Sequence, residues 1–127
     1  MDQIKILLVD DEVEFVKTLS ERIQIRGFDS HVALSGEEAL AVIRDTPPDV
    51  IVLDLKMPGM DGIEVLRRLK KTDPDIQVLI LTGHGSEKDE TEARRLGAFD
   101  YLQKPVDIET LIEYIRRTYA GKTDLAP

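Results

Sequence analysis

The sequence predicts an α/β fold built on a five-stranded parallel sheet with helices on both faces. Three observations predict it. Short apolar runs alternate with helix-period segments five times along 127 residues, and that alternation requires right-handed crossovers between parallel strands. The central runs are continuously apolar rather than alternating, which is the pattern of strands buried on both faces. Turn and cap residues stand at nearly every expected boundary. The length suits one domain, with residues 1–120 forming it and 121–127 reading as a tail or linker stub.

In chain order, Ile4 to Val9 is the first strand, broken only by Lys5 and ending on Asp10, Asp11 and Glu12. Phe15, Val16, Leu19 and Ile23 recur at helical spacing, and Gly27 suits the residue after a helix C-terminus. Phe28 to Leu34 is more polar and reads as an edge strand. Ser35 with Glu38 fits a capping box, opening a helix that carries Ala39, Leu40 and Ile43 on one face, and Thr46-Pro47-Pro48 ends it. Val50 to Leu53 is the third strand. It runs straight into a carboxylate, Asp54, before the turn at Pro58-Gly59.

Asp61 caps a helix whose inner stripe is Ile63, Val65, Leu66 and Leu69, and Pro74 lies in the connection after it. Val78 to Leu81 is the fourth strand, ending on Thr82. Gly83-His84-Gly85 follows as a flexible loop, with Ser86 as an N-cap. The helix from about Glu87 to Leu96 has a weak apolar face, and Gly97 ends it. Ala98 to Leu102 is the fifth strand, leading to Lys104-Pro105. Asp107 caps a last helix with Leu111, Ile112 and Ile115 inward. The flavodoxin-like order 2-1-3-4-5 puts the apolar runs in the middle and the polar ones at the edges.

Composition excludes several roles. The net charge is −8, which argues against nucleic-acid binding by this domain, because phosphate contacts need a basic surface. There is no cysteine for a disulfide or thiolate site. No apolar stretch approaches the ~20 residues of a membrane span, and the N-terminal apolar run is too short for a secretion signal. A cytoplasmic protein is expected.

Ligands of open α/β sheets bind beyond the carboxyl ends of the strands. There the predicted order brings Asp10 and Asp11 beside Asp54, with Thr82 and Lys104 on the other side. Two carboxylates ~4 Å apart repel by about 1 kcal/mol in water and about 4 kcal/mol at an effective dielectric of 20. A hard divalent cation such as Mg²⁺ relieves that repulsion, holding one or two carboxylates plus waters and phosphate oxygens. Phosphoryl transfer needs positioning and charge stabilisation more than covalent help. Asp54 is the candidate nucleophile, Lys104 a mobile point cation for one phosphoryl oxygen, and Thr82 a small donor for another.

Leu-Val-Asp-Asp-Glu at 8–12, Asp-Leu-Lys-Met-Pro-Gly-Met-Asp-Gly at 54–62, Leu-Thr-Gly at 81–83 and Gly-Ala-Phe-Asp-Tyr-Leu-Gln-Lys-Pro at 97–105 stand in the order and at the strand ends of a known family. From Ile4 to about Tyr119 the chain resembles a response-regulator receiver domain of bacterial two-component signalling. The resemblance implies that Asp54 accepts a phosphoryl group from a sensor histidine kinase or phosphotransfer protein, or from a small donor such as acetyl phosphate, without being a turnover enzyme. It implies Mg²⁺, with Mn²⁺ as a substitute, on Asp10 or Asp11, Asp54 and the Lys56 backbone carbonyl, with Asp11 the more direct ligand by position. It makes Thr82 and Tyr101 a switch pair and Lys104-Pro105 a cis peptide. It makes the face of helix 4, strand 5 and helix 5 the output surface, acting on an output domain or partner, with phosphorylation-dependent homodimerisation through that face.

The chain departs from the family pattern at Gly83, where Ala is common, and at Val106, where Phe is usual. Lys56 and His84 occupy positions that tune how fast the phosphoryl group hydrolyses. Two other classes fail on chemistry. A haloacid-dehalogenase-type phosphatase needs a second Asp two residues after the nucleophile, where Lys56 stands. A flavodoxin-like electron carrier must hold a flavin phosphate after strand 1, where three acids would repel it. A receiver fold that only binds partners would not need the full set of reactive side chains present here.

Overall fold

The computed structural model describes residues 3–124, with side chains through residue 121. It contains β1 (Lys5–Val9), α1 (Val13–Ile25), β2 (Asp29–Ala33), α2 (Gly36–Asp45), β3 (Val50–Leu53), α3 (Gly62–Thr72), β4 (Gln77–Thr82), α4 (Glu87–Arg95), β5 (Asp100–Gln103) and α5 (Ile108–Asp124). The sheet order is β2-β1-β3-β4-β5, and every pairing is parallel. Register places Val9 opposite Leu53 and Leu53 opposite Ile80. The tips of the three central strands therefore end at one level.

Two apolar clusters lie on either side of the sheet. Leu7, Val9, Ile51, Leu53, Val78 and Ile80 pack with Ile43 of α2, Val65, Leu66 and Leu69 of α3 and Ala93 of α4. The alternate strand residues Ile6, Leu8, Val50, Val52, Leu79 and Leu81 pack with Val16 and Ile23 of α1 and with Leu111, Ile112 and Ile115 of α5. Period-2 alternation sends neighbouring residues to opposite layers. Because both layers are apolar, the strands read as unbroken hydrophobic runs. A buried polar pair, Ser20 Oγ to Ser30 Oγ at 2.7 Å, joins α1 to β2.

The caps act through named bonds. Asp61 accepts from the Glu64 N–H, and Asp107 from the Thr110 N–H. Gly27 and Gly97 adopt positive φ of 94° and 107° just beyond α1 and α4, a conformation that costs glycine little. Ser35 accepts from the Glu38 N–H, but the Glu38 carboxylate bonds the Leu34 N–H rather than that of Ser35. The full reciprocal capping box is at Ser86 and Asp89.

Three further expectations change. β5 starts at Asp100: the Ala98 N–H still bonds the Ala93 carbonyl of the turn that leaves α4, and Phe99 makes the junction, its N–H donating to the Val78 carbonyl of β4. Phe15 leaves the inner stripe of α1 and is 38% exposed, its ring drawn instead to the side chain of Lys104. Gly121 to Asp124 continue α5 instead of forming a patternless tail; the end of that stretch, residues 125–127, lies outside the described residues.

Candidate phosphoacceptor site

β1, β3 and β4 deliver Asp10, Asp54 and Thr82 to the C-terminal edge of the sheet, all three buried. Backbone bonds fix them. The Asp10 N–H donates to the Ala33 carbonyl, the Asp54 N–H to the Val9 carbonyl, and the Lys104 N–H to the Thr82 carbonyl. Lys104-Pro105 is a cis peptide.

The Lys104 ammonium sits among acids. Its Nζ is 2.7 Å from Asp10 Oδ2, 2.8 Å from Glu12 Oε1 and 4.0 Å from Asp54 Oδ2. It also lies 4.4 Å from the Phe15 ring centroid, within cation–π range. That contact is why Phe15 lies toward the site instead of the core. Burial works against the charged ammonium, but hydrogen bonds to Asp10 and Glu12 outweigh it and raise the Lys104 pKa. Burial pushes the Asp10 carboxyl up, against the pull of Lys104 and of the Glu12 N–H. The hydrogen bond from Lys104 holds Glu12 below the usual range.

Asp10, Glu12 and Asp54 each present a carboxylate oxygen within 4.8 Å of the other two. Asp54 Oδ1 is buried and has no hydrogen-bond partner among the described residues. A buried carboxylate oxygen lacking a donor is costly and suits a hard cation or an incoming electrophile. Asp11 is half-buried and is not one of that trio; Glu12, the third acid of the run after β1, is. The sequence signal for Glu12 was its place in that run, but nothing local tied it to a lysine 92 residues away.

Lys56 turns its side chain away from Asp54, to Asp89 Oδ2 of α4 at 3.1 Å. Thr82 is fully buried, and its hydroxyl accepts from the His84 N–H at 3.5 Å. Tyr101 projects its ring into the space left by Gly85. A Cβ built on Gly85 would lie 1.5 Å from the Tyr101 hydroxyl and 2.9 Å from Thr82 Cγ2. The tyrosine hydroxyl is buried without a partner among the described residues. Burial first, then the charges of Asp89, Glu90 and Asp54, raise its pKa.

A doubly wound sheet with an acid trio, a lysine and a threonine at its strand tips defines a phosphoryl-accepting signalling domain. The chain belongs to the response regulator receiver domain family, whose profile matches residues 6–116, and it is the receiver domain of a two-component response regulator. It is 37% identical over 113 residues to sporulation initiation phosphotransferase F of Bacillus subtilis, covering 89% of this chain and 91% of that protein. It is 43% identical over 112 residues to transcriptional regulatory protein CpxR of Klebsiella pneumoniae, covering 88% of this chain and 47% of CpxR. It is 37% identical over 113 residues to regulatory protein AtoC of Escherichia coli, covering 89% of this chain but spanning only 24% of AtoC. Among solved structures, a CheY-like receiver domain protein from Methanospirillum hungatei superposes with a TM-score of 0.93 at 26% identity, covering 97% of this chain and 98% of that one. Chemotaxis protein CheY4 of Vibrio cholerae gives 0.87 at 31%, with coverages of 92% and 99%. Among the described residues no helix is long and apolar enough to cross a membrane.

Proposed function

We propose that Asp54 takes a phosphoryl group from the phosphohistidine of a sensor kinase or phosphotransfer protein, in the cytoplasm, and that the domain then signals through the face of α4, β5 and α5. The observation that carries this reading is the Asp54 carboxylate, buried at a strand tip, with one oxygen unpartnered and the Lys104 ammonium 4.0 Å from the other.

In the reaction, an Asp54 oxygen attacks phosphorus. The O–P bond forms as the donor's P–N bond breaks, and the departing imidazole nitrogen keeps that bond's electron pair. Asp10 or Asp11, Asp54 and the Lys56 carbonyl would hold Mg²⁺ or Mn²⁺. When bound, the ion would neutralise charge on the carboxylates and the phosphoryl oxygens. Lys104 turns from Asp10 and Glu12 to one phosphoryl oxygen, and the Thr82 hydroxyl donates to another. The backbone amides fix the strand tips in place, so the reorganisation is confined to the side chains of Lys104 and Thr82.

The switch follows from Thr82. Drawing its hydroxyl toward the phosphoryl group enlarges the space beside Gly85, favouring the inward ring of Tyr101. The ring is inward in this structure, so phosphorylation would stabilise a position the ring can already adopt. α4, which buries only Ala93, is the weakly anchored element that would respond. An output domain, a docking partner or a second copy of the chain would read that face.

The test is labelling by acetyl phosphate carrying ³²P, with Mg²⁺. Wild type is expected to take up acid-stable, base-labile label, and Asp54→Asn none. Equal labelling of Asp54→Asn would overturn the assignment.

A further inference from the structure

Glu12 is the N-cap residue of α1, yet its side chain caps nothing. Its backbone N–H instead donates to Asp10 Oδ1 at 2.9 Å, and its carboxylate reaches across to Lys104 Nζ at 2.8 Å. The lysine is therefore more than an ångström closer to Glu12 than to Asp54. The Phe15 ring lies against the same ammonium. Glu12 and Phe15 both come from the start of α1 and together make a seat for the cation at the rim of the site.

We propose that Glu12 is a positioning residue: it holds the Lys104 ammonium at the rim and releases it when a phosphoryl group forms on Asp54. This rests on the phosphoacceptor reading of Asp54. Lys104 now bonds both Asp10 and Glu12. A cation at Asp10 would compete with it there, and Glu12 gives the ammonium a partner it can keep. A phosphoryl oxygen must then win Lys104 from Glu12, so Glu12 sets how readily the phosphorylated arrangement forms. Glu12 is 60% exposed at its side chain. The resting pair is thus a surface-grade ion pair, and its removal should favour phosphoryl capture by about threefold to fivefold.

The probe is beryllofluoride with Mg²⁺, a stable stand-in for the phosphoryl group, titrated against the whole chain. Glu12→Gln is expected to bind it about threefold to fivefold more tightly, and Glu12→Asp is expected to stay nearer wild type. In a Lys104→Met background, Glu12→Gln is expected to change the affinity less than about twofold. Equal tightening in both backgrounds would show simple repulsion of the anion by Glu12 and would overturn the proposal. The seat is also read without any phosphoryl group, from the Lys104 side-chain ¹⁵N resonance in Mg²⁺-free protein. That resonance should move in Glu12→Gln, and an unmoved resonance would likewise overturn the proposal. A wild type that takes neither label nor mimic refutes the phosphoacceptor reading itself, and the proposal with it. A wild type that takes both, with Glu12→Gln unchanged, refutes the proposal alone.

Discussion

Replacing Gly62 by alanine should damage the fold and the site together. Gly62 begins α3, with nothing unusual in its backbone angles; its constraint is space. A Cβ there would lie 2.2 Å from the Asp54 carbonyl oxygen and 2.8 Å from the Leu55 Cα. An ordinary carbon–oxygen contact is roughly 3.3 Å, so the obstruction must move by about 1 Å, and both obstructing atoms belong to backbone. Overpacking of this kind costs about 1–3 kcal/mol, occasionally more. The upper part of that range applies because no side-chain rotation relieves the clash. For a domain of this size each kcal/mol moves Tm by roughly 3–5 °C, which predicts a drop of about 8–15 °C. The displaced peptide carries the nucleophile, so acetyl phosphate labelling should fall even at temperatures where the variant stays folded.

Gly85→Ala is the matched comparison. Its Cβ meets the Tyr101 hydroxyl at 1.5 Å, a closer clash, but with the far end of a side chain that can swing out. The ring should leave its slot, and the buried unpartnered hydroxyl regains water, offsetting part of the lost packing. Stability should then change by less than about 1 kcal/mol, with the tyrosine near-UV circular dichroism altered. Differential scanning calorimetry on both variants decides the matter. A Gly62→Ala protein within about 0.5 kcal/mol of wild type, the scale of a neutral surface change, would refute the spatial reasoning.

Asp89 accepts from the Ser86 N–H and pairs with Lys56, and the backbone bond to Ser86, chiefly, lowers its pKa. Its contribution is fully present above the ordinary carboxyl value of 3.8 and is lost as pH falls through the lower folded value. Asp89→Asn should therefore lose roughly 1 kcal/mol at neutral pH, measured by urea titration. The gap to wild type should close as pH falls through the lowered folded value, where the protonated acid resembles the amide; a gap independent of pH would count against the assignment. Mg²⁺ at one hundred times its dissociation constant should stabilise the wild type by about 2.7 kcal/mol, seen as a rise in Tm. Asp10→Asn should lose most of that rise, and a wild type whose Tm ignores Mg²⁺ would remove the cation from the proposed chemistry.

The central strands were legible in the sequence because each is an unbroken apolar run that stops on a polar residue: Val9 before Asp10, Leu53 before Asp54, Leu81 before Thr82. Such runs give strand, burial and sheet position at once, so hydrophobic pattern alone places the acids at their tips together. Phe15 was not legible in the same way. Its spacing with Leu19 and Ile23 matches an inner stripe, but an aromatic ring near a buried ammonium has a second place to go, and periodicity carries no information about Lys104. The start of β5 is not legible because Ala98 is apolar yet its N–H still bonds the Ala93 carbonyl of the turn after α4. The two Ser-led caps could not be ranked, since closure depends on where the acid three residues on finds its donor: Glu38 takes the Leu34 N–H and Asp89 takes that of Ser86.

Glu12 shows why the most consequential contact was the least visible. Local reasoning sees an acid at a helix start, where the macrodipole favours it by about 0.3–1 kcal/mol, and stops there. In the folded protein three carboxylates, Asp10, Glu12 and Asp54, crowd within reach of one another, and the Lys104 ammonium bonds two of them. With all three ionised, that one cation leaves two negative charges uncompensated, the charge a divalent ion carries. The repulsion among them is relieved either by such an ion or by protonation, and burial already moves Asp10 in the second direction. A phosphoryl group adds further negative charge on the Asp54 side, so Lys104 gains most by moving there. Glu12, the most exposed of the trio, gives up its partner at least cost because water can solvate it. The contrast in burial between exposed Glu12 and the two buried aspartates thus makes Glu12 the partner that the lysine leaves.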